Sequence, residues 1–553
     1  MNTRESTAPW WQDAVFYQIY PRSFRDSNGD GVGDLRGIIE QLDYLNDGKN
    51  NTRSLGIDAL WISPFFRSPM RDCGYDISDY KDVDPLFGTI DDARELISAC
   101  HARGIRVIID LVLNHTSDQH PWFQASASDP DGDKGDWYLW APRRPNNWIA
   151  MLELKSAWWW DERRQAYYLA TFSREQPEVN WRNPAVREAM YDVVRFWLEM
   201  GVDGFRLDVI NWFIKDDRLR SNPWHFKAVP DMFQKHIYDR NRPETLDICR
   251  ELREISDKYS NTPDDDKVLV GEVFTDDADI AASYHGNGND ALHMAFNFEF
   301  LWQKWDARAF HDAIQHWYAA LPEGAWPNFT LSNHDQPRHY SRYMPAFGTR
   351  DYRQRIALAR ARVAAAMLLT VRGTPFLYYG EEIGMQNVPL KRHEIQDPLG
   401  QRLSFLTRDK GRAPMQWDAG ATAGFCPEDA PPWLPVRPAG TQANVEAQLD
   451  DPDSLLGWYR TLIRLRRQEP ALRQGQLQML CDGSKQVLGW RRHMPDETGT
   501  RDIVVLLNFA NRTTPLPDGQ VDTGTVLAGT HRDTGEAAHP AELLPHEVLI
   551  LGQ

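Results

Sequence analysis

Eight short apolar runs recur along the chain: "AVFYQIY", "IDALWIS", "IRVIIDLV", "VDGFRLDV", "KVLVGEVF", "MAFNFEF", "PNFTLSN" and "TPFLYYG". Each has the length of a strand. Between several of them lie stretches of helical period, such as "DDARELISACHARG" and "PAVREAMYDVVRFWLEMG", which open on Asp or Pro and close on Gly. Strands that alternate with helices run parallel, because the helix returns the chain to the starting edge. Eight such units predict an α/β fold built on a (β/α)8 barrel.

Two stretches break the alternation. Residues 113–175, after the third run, are rich in Trp and Pro and too long for an ordinary connection, which predicts an inserted, loop-rich subdomain. From residue 474 the text changes to short alternating strands, "QVLGWRRHM", "DIVVLLNFAN", "TVLAGT" and "EVLILGQ", predicting an antiparallel β domain over 474–553. The barrel is then assembled from 1–112 and 176–473, with the irregular passage 386–452 over its mouth.

The 553 residues carry a formal net charge of -17, which argues against nucleic acid and anionic membrane as partners and for a neutral or cationic one. The start, "MNTRESTAPWWQ", lacks a basic segment followed by an apolar one, and no run of about eighteen apolar residues occurs. The cysteines, five in number and without CxxC spacing, fit a reducing compartment and no zinc site. A cytoplasmic monomer or small homo-oligomer is expected.

In "GFRLDVIN", Arg206 and Asp208 share one face of an otherwise apolar strand. Buried charge at a strand end usually marks a site, with a structural ion pair as the alternative. Other runs end in similar groups: Asp72 and Tyr75 after the second, Asp110 and His115 after the third, Glu272 after the fifth, His334 and Asp335 after the seventh. Any one of these has a bland explanation. Their gathering at the carboxyl ends of barrel strands is what glycoside hydrolysis needs, namely one carboxylic acid to protonate the leaving oxygen and one carboxylate to meet the developing cation.

"DSNGDGVGD" places oxygen ligands at Asp26, Asn28, Asp30, the Val32 carbonyl and Asp34, with Gly31 sixth, like the start of an EF-hand loop. Gly37 stands where the bidentate Glu belongs, so the loop is not an EF-hand. A structural calcium or magnesium ion is expected there; the alternative is an acidic turn without an ion.

"DLVLNH", "GFRLDV", "GEVF" and "SNHDQ", in this order, resemble the conserved regions of the alpha-amylase superfamily of glycoside hydrolases. "YQIYPRSF", "QPEVNW", "YYGEEIGM" and "RAPMQW" extend the resemblance over nearly the whole chain, toward the oligo-1,6-glucosidase and alpha-glucosidase branch. The resemblance implies Asp208 as nucleophile, Glu272 as acid and then base, and Asp335 as the carboxylate that holds sugar hydroxyls. It implies that Asp72, Tyr75, His115, Phe172, Arg206, His334 and Arg412 line the first glucose subsite, with Arg412 and Asp72 as the pair closing the pocket. Arg206 would keep Asp208 ionised. Val209, after the nucleophile, implies a lean to α-1,6 links. The implied partner is a neutral oligosaccharide or disaccharide, with no organic cofactor. A glucosyl transferase or isomerase on sucrose, maltose or trehalose is the alternative, and a non-catalytic sugar-binding barrel the remote one. The sequence departs from relatives at "AMLELKSAW" (Leu152 to Lys155), where they carry Gly-Gly, and at Ala170, where they carry His.

Overall fold

A computed structural model describes residues 8–49, 53–226, 233–436, 443–494, 502–516 and 521–553. The eight apolar runs supply eight parallel strands: β1 Phe16–Ile19, β2 Ala59–Ile62, β3 Arg106–Leu111, β4 Gly204–Leu207, β5 Val268–Gly271, β6 Met294–Ala295, β7 Asn328–Thr330 and β8 Thr374–Tyr378. Their order in the sheet is β6-β5-β4-β3-β2-β1-β8-β7, which is the chain order read around a ring. β1 pairs in parallel with both β2 and β8, and this wraps the sheet into a barrel.

Local chemistry explains the outer helices. Ile90–His101 opens on a reciprocal Thr89–Asp92 capping box. Pro184–Met200 opens on Asn183, whose side chain takes the Ala185 N–H, and stops at Gly201, which adopts φ 107°. One glycine is demanded by packing: a Cβ on Gly204 would lie 2.1 Å from the Val268 carbonyl oxygen, so only glycine lets β4 and β5 approach at this point.

The sixth run departs from expectation. "MAFNFEF" is strand only over Met294–Ala295, because the Asn297 side chain takes the Phe300 N–H and starts the short helix Phe298–Leu301. The inserted stretch is loop-rich, as expected, with short elements of its own. It holds the helix Pro121–Ser128 and an antiparallel sheet ordered Trp140–Ala141, Ala166–Leu169, Trp158–Asp161, over a core that includes Trp148, Trp158 and Leu169. A fully buried ion pair from Glu178 to Lys215 ties the end of this insertion to the segment after β4.

The C-terminal sheet is antiparallel and runs Gln476–Leu480, Val487–His493, Ile503–Asn508, Val548–Gly552, Gly524–Gly529, Ala537–Ala538. Arg492, fully buried, joins it to the barrel. Its guanidinium donates to the carbonyls of Thr370 (2.8 Å), Leu472 (2.7 Å) and Gly475 (2.9 Å), satisfying the end of the helix Arg350–Thr370 with a positive charge. All five cysteines are buried and none forms a disulfide, and no helix among the described residues is long and apolar enough to cross a membrane.

Candidate active site

Arg206 sits mid-strand with its side chain inside the barrel, in register with Asp110 on β3. It is fully buried. One terminal nitrogen bonds Asp110 at 2.8 Å and Asp208 at 2.7 Å, and the other bonds Glu272 at 2.6 Å. The face of Trp61 lies 5.1 Å from the guanidinium carbon. Asp110 is held further by Trp61 Nε1 (3.2 Å) and the Tyr75 hydroxyl (3.0 Å).

Three buried carboxylates thus share one guanidinium. Were all ionised, the group would carry two uncompensated negative charges in a dry setting, so it retains a proton. Burial pushes Asp110 up to about 6 against the pull of Arg206, and burial likewise raises Asp208. Arg206 does pull Asp208 down, as expected, but burial outweighs that pull and the net direction is upward. The guanidinium is divided among three partners, and its share at Asp208 is smaller than the cost of removing water.

Asp335 is in the opposite situation. Burial opposes its charge, but His334, Arg408 and Arg412 together outweigh burial and hold the carboxyl well below the usual range. Arg412 donates to Asp335 at 2.7 Å and to the His334 carbonyl at 2.8 Å. His334 is itself fixed by Gln18 (2.8 Å) on one ring nitrogen and the Tyr75 hydroxyl (2.5 Å) on the other, and burial pushes it down to about 3. It is neutral at ordinary pH.

The expected pair of Arg412 with Asp72 is also corrected. The side chain bonded to Asp72 is Arg408, at 2.6 Å, and Arg408 also reaches Asp335 at 3.2 Å and the buried Asp397 at 2.7 Å. Arg408 starts the short helix Arg408–Gly411 and therefore projects toward the cavity, four residues ahead of Arg412, which is fully buried. Gln176 completes this corner, touching Asp72 (3.2 Å) and His115 (3.1 Å).

These groups end on a cavity of about 570 Å³ whose wall includes Asp72, Tyr75, His115, Phe172, Asp208, Val209, Glu272 and Asp335. Arg206, His334 and Arg412 are buried behind that wall. Sequence reading left out Arg408, Gln176 and Trp212 at the wall; "TRDKGRAPMQW" held the signal for Arg408, a second cation beside the expected one. Val209 occupies the left-handed region, φ 36°, where a β-branched side chain is strained by about 1–2 kcal/mol. That turn aims its N–H at Glu272 Oε2, 3.3 Å away.

The acidic loop after β1 is bonded to itself. Asp26, buried, accepts the N–H groups of Asn28, Gly29 and Gly31; Asn28 accepts that of Asp30, and Asp30 that of Val32. Asp34 accepts from Ser27 and from Gly37 at the start of the helix Leu35–Glu40. The donor set is all oxygen, which suits a hard cation. Elsewhere, Asp257, Asp266 and His293 bring ligand atoms within 4.8 Å of one another. His293 Nδ1 accepts the Leu269 N–H, which leaves the proton on Nε2, the atom facing Asp266, so this trio does not present a nitrogen lone pair to a metal.

Known proteins with this architecture carry related activities. Residues 18–475 match the family described as alpha amylase, catalytic domain. A probable alpha-glucosidase of Rhizobium meliloti is 41% identical, with 90% of this chain and 92% of that protein covered. The oligo-1,6-glucosidase of Parageobacillus thermoglucosidasius is 37% identical over 97% of each chain. Among solved structures, the alpha-glucosyl transfer enzyme XgtA superposes with TM-score 0.87 at 38% identity over 99% of both chains. The trehalulose synthase MutB of Pseudomonas mesoacidophila does so with TM-score 0.85 at 33%, also over 99% of both. The chain is a glycoside hydrolase of the alpha-amylase family.

Proposed function

We propose that the protein is a retaining exo-α-glucosidase that removes single glucose units from the non-reducing end of short α-glucosides, with a lean to α-1,6 links. The observation that carries this is one guanidinium gripping Asp208 and Glu272 beside a pocket closed by the Arg408 bridge between Asp72 and Asp335. Two carboxyl groups held by a single side chain favour the short separation of retaining enzymes, about 5 Å, over the wider gap that must admit a water. A pocket closed at one end admits a chain terminus and not a chain interior.

In the working form Glu272 serves as the proton donor and Asp208, beside Arg206, as the nucleophile. Asp208 attacks the anomeric carbon while Glu272 gives its proton to the departing oxygen, leaving a glucosyl ester on Asp208. Glu272, now a carboxylate, takes a proton from water as the water displaces Asp208. Asp335, permanently charged, accepts hydrogen bonds from the sugar hydroxyls, and Tyr75 and Phe172 offer ring faces to its apolar side. Transfer to a sugar instead of water uses the same two displacements; likeness to an alpha-glucosyl transfer enzyme and to a trehalulose synthase supports that second reading. The loop of Asp26, Asn28, Asp30, the Val32 carbonyl and Asp34 is where a structural calcium or magnesium ion would be held; it supplies rigidity and no chemistry.

Asp208→Asn is expected to lower kcat on a nitrophenyl α-glucoside by on the order of a thousandfold or more. Proton NMR of the wild-type reaction should show α-glucose before its β anomer; β-glucose first would contradict the double displacement. Val209→Thr is expected to move the isomaltose-to-maltose ratio of kcat/KM toward maltose by about fivefold or more, since shape discrimination is worth about 1–3 kcal/mol, and an unmoved ratio would remove Val209 as the determinant. Chelation should lower the melting temperature while leaving activity at low temperature intact; an unchanged melting curve would argue for a turn without an ion.

A further inference from the structure

A second cavity, of about 240 Å³, lies at the end of the barrel opposite Asp208 and Glu272. Part of its wall comes from residues that precede strands: Asp13 before β1, Asp58 before β2, Gly104 before β3 and Asp264 before β5. The catalytic groups follow strands, so the two cavities open on opposite faces. The rest of the wall is Trp10, Arg106, the end of the helix Leu455–Gln468 with Arg466 and Arg467, and Arg473 from the helix Pro470–Gln474. Hydrolysis uses none of these residues.

Charge is uneven around this cavity. Arg473 holds Asp13 at 3.1 Å, Arg467 holds Asp58 at 2.8 Å, and Arg106 shares Asp203 with His101 and Lys267. Arg466 forms no ion pair among the described residues. It is fully buried, donates to the carbonyls of Leu369 (3.3 Å), Leu472 (3.0 Å) and Gly373 (2.8 Å), and its Nε has no partner. The Leu472 carbonyl also takes Arg492, equally buried, so two guanidinium groups share one neutral acceptor and repel each other. Burial pulls Arg466 down to about 10, with Arg473 adding to it, and pulls Arg492 down to about 9, with Arg466 adding to it. Both stay charged at neutral pH. The carbonyl end of the helix Arg350–Thr370 offers them only about half a negative charge. The helix side of the cavity therefore sets four cations, Arg466, Arg467, Arg473 and the adjacent Arg492, against the two carboxylates of Asp13 and Asp58; the far side adds one of each, Arg106 and Asp264. This local excess is positive in a chain whose net charge is -17.

An anion in the cavity relieves that repulsion. Arg106, Arg467 and Arg473 keep their side chains 33%, 42% and 29% exposed, so a ligand arriving from solvent meets three guanidinium groups before it reaches Arg466. Guanidinium pairs with phosphate oxygens through two parallel N–H bonds, a match that a halide does not offer. Trp10, half-buried, lies 5.7 Å from the Arg106 guanidinium and gives the wall a flat apolar face. The volume is several times the roughly 30 Å³ share of a water molecule, which leaves room for a phosphate group and part of what it is esterified to. We propose that this cavity is a phosphate-binding site, for a phosphate monoester or the free ion. Arg492 ties the same corner to the C-terminal sheet, so bound phosphate stabilises the joint between that sheet and the barrel. The site is separate from the sugar pocket and does not depend on which glucoside is cleaved.

The test is isothermal titration and thermal melting of the full chain with inorganic phosphate, glucose 6-phosphate and AMP, at an ionic strength held constant with sodium chloride. Glucose alone is the control for a sugar entering the active site. Saturable binding of at least one of the three, with a matching rise in melting temperature, is expected. A tighter constant for an ester assigns the site to the ester, and constants no tighter than that of inorganic phosphate assign it to the free ion. Arg467→Gln and Arg473→Gln should each weaken binding about tenfold or more, the loss of one charge-assisted hydrogen bond, while hydrolysis of a nitrophenyl α-glucoside stays as in wild type. Absence of saturable binding in wild type would overturn the proposal. So would a melting shift that both variants keep, which is what the general action of phosphate as a stabilising salt produces. If a variant fails to fold, the wild-type titration decides.

Discussion

One buried guanidinium, that of Arg206, sets the electrostatics of the whole site. It lies on β4, in register with Asp110 on β3, and reaches forward to Asp208 and Glu272 at the strand ends. A buried cation with no partner would be expelled or would cost several kcal/mol, and three buried carboxylates without it could not ionise. Together they are viable, but with a deficit of positive charge that keeps a proton within the group. A catalyst that needs one acid and one base side by side can use that arrangement directly. Asp335, supplied with two arginines of its own, is kept out of this sharing and stays charged.

The backbone bends to build this cluster. Gly204 allows β4 and β5 to approach so closely that a side chain would strike the Val268 carbonyl. Five residues on, Val209 turns into the left-handed region, and its N–H meets Glu272 while the Glu272 N–H bonds the Leu207 carbonyl at 2.8 Å. Asp208 and Glu272 are thereby locked through backbone as well as through Arg206. Strain at Val209 is offset by this interlocking, and it lies beside Asp208 and Glu272.

Much of this was legible in the sequence because alternation and strand-end residues are local signals. The eight apolar runs became the eight barrel strands, and Asp208, Glu272 and Asp335 meet one cavity. What sequence could not give is how charge is apportioned in space. Arg412, chosen from its place in "RAPMQW", points to Asp335 and the His334 carbonyl, while Arg408 takes Asp72, because a short helix rotates the two arginines apart. Arg206 and Asp208, two residues apart in the text, give no hint that Asp110 and Glu272 compete for the same cation. The sixth strand was overread because "FNFEF" is apolar enough for strand, yet Asn297 caps a helical turn there.

The central claim is that Asp110 and Asp208 titrate against one shared positive charge. The direct measurement is the pH profile of kcat/KM for wild type and Asp110→Asn. Removing one negative charge favours ionisation of Asp208, so the limb of the profile that Asp208 sets should move to lower pH, by about half a unit or more. A limb that stays in place would mean that Asp110 and Asp208 titrate independently, and that Arg206 does not couple them.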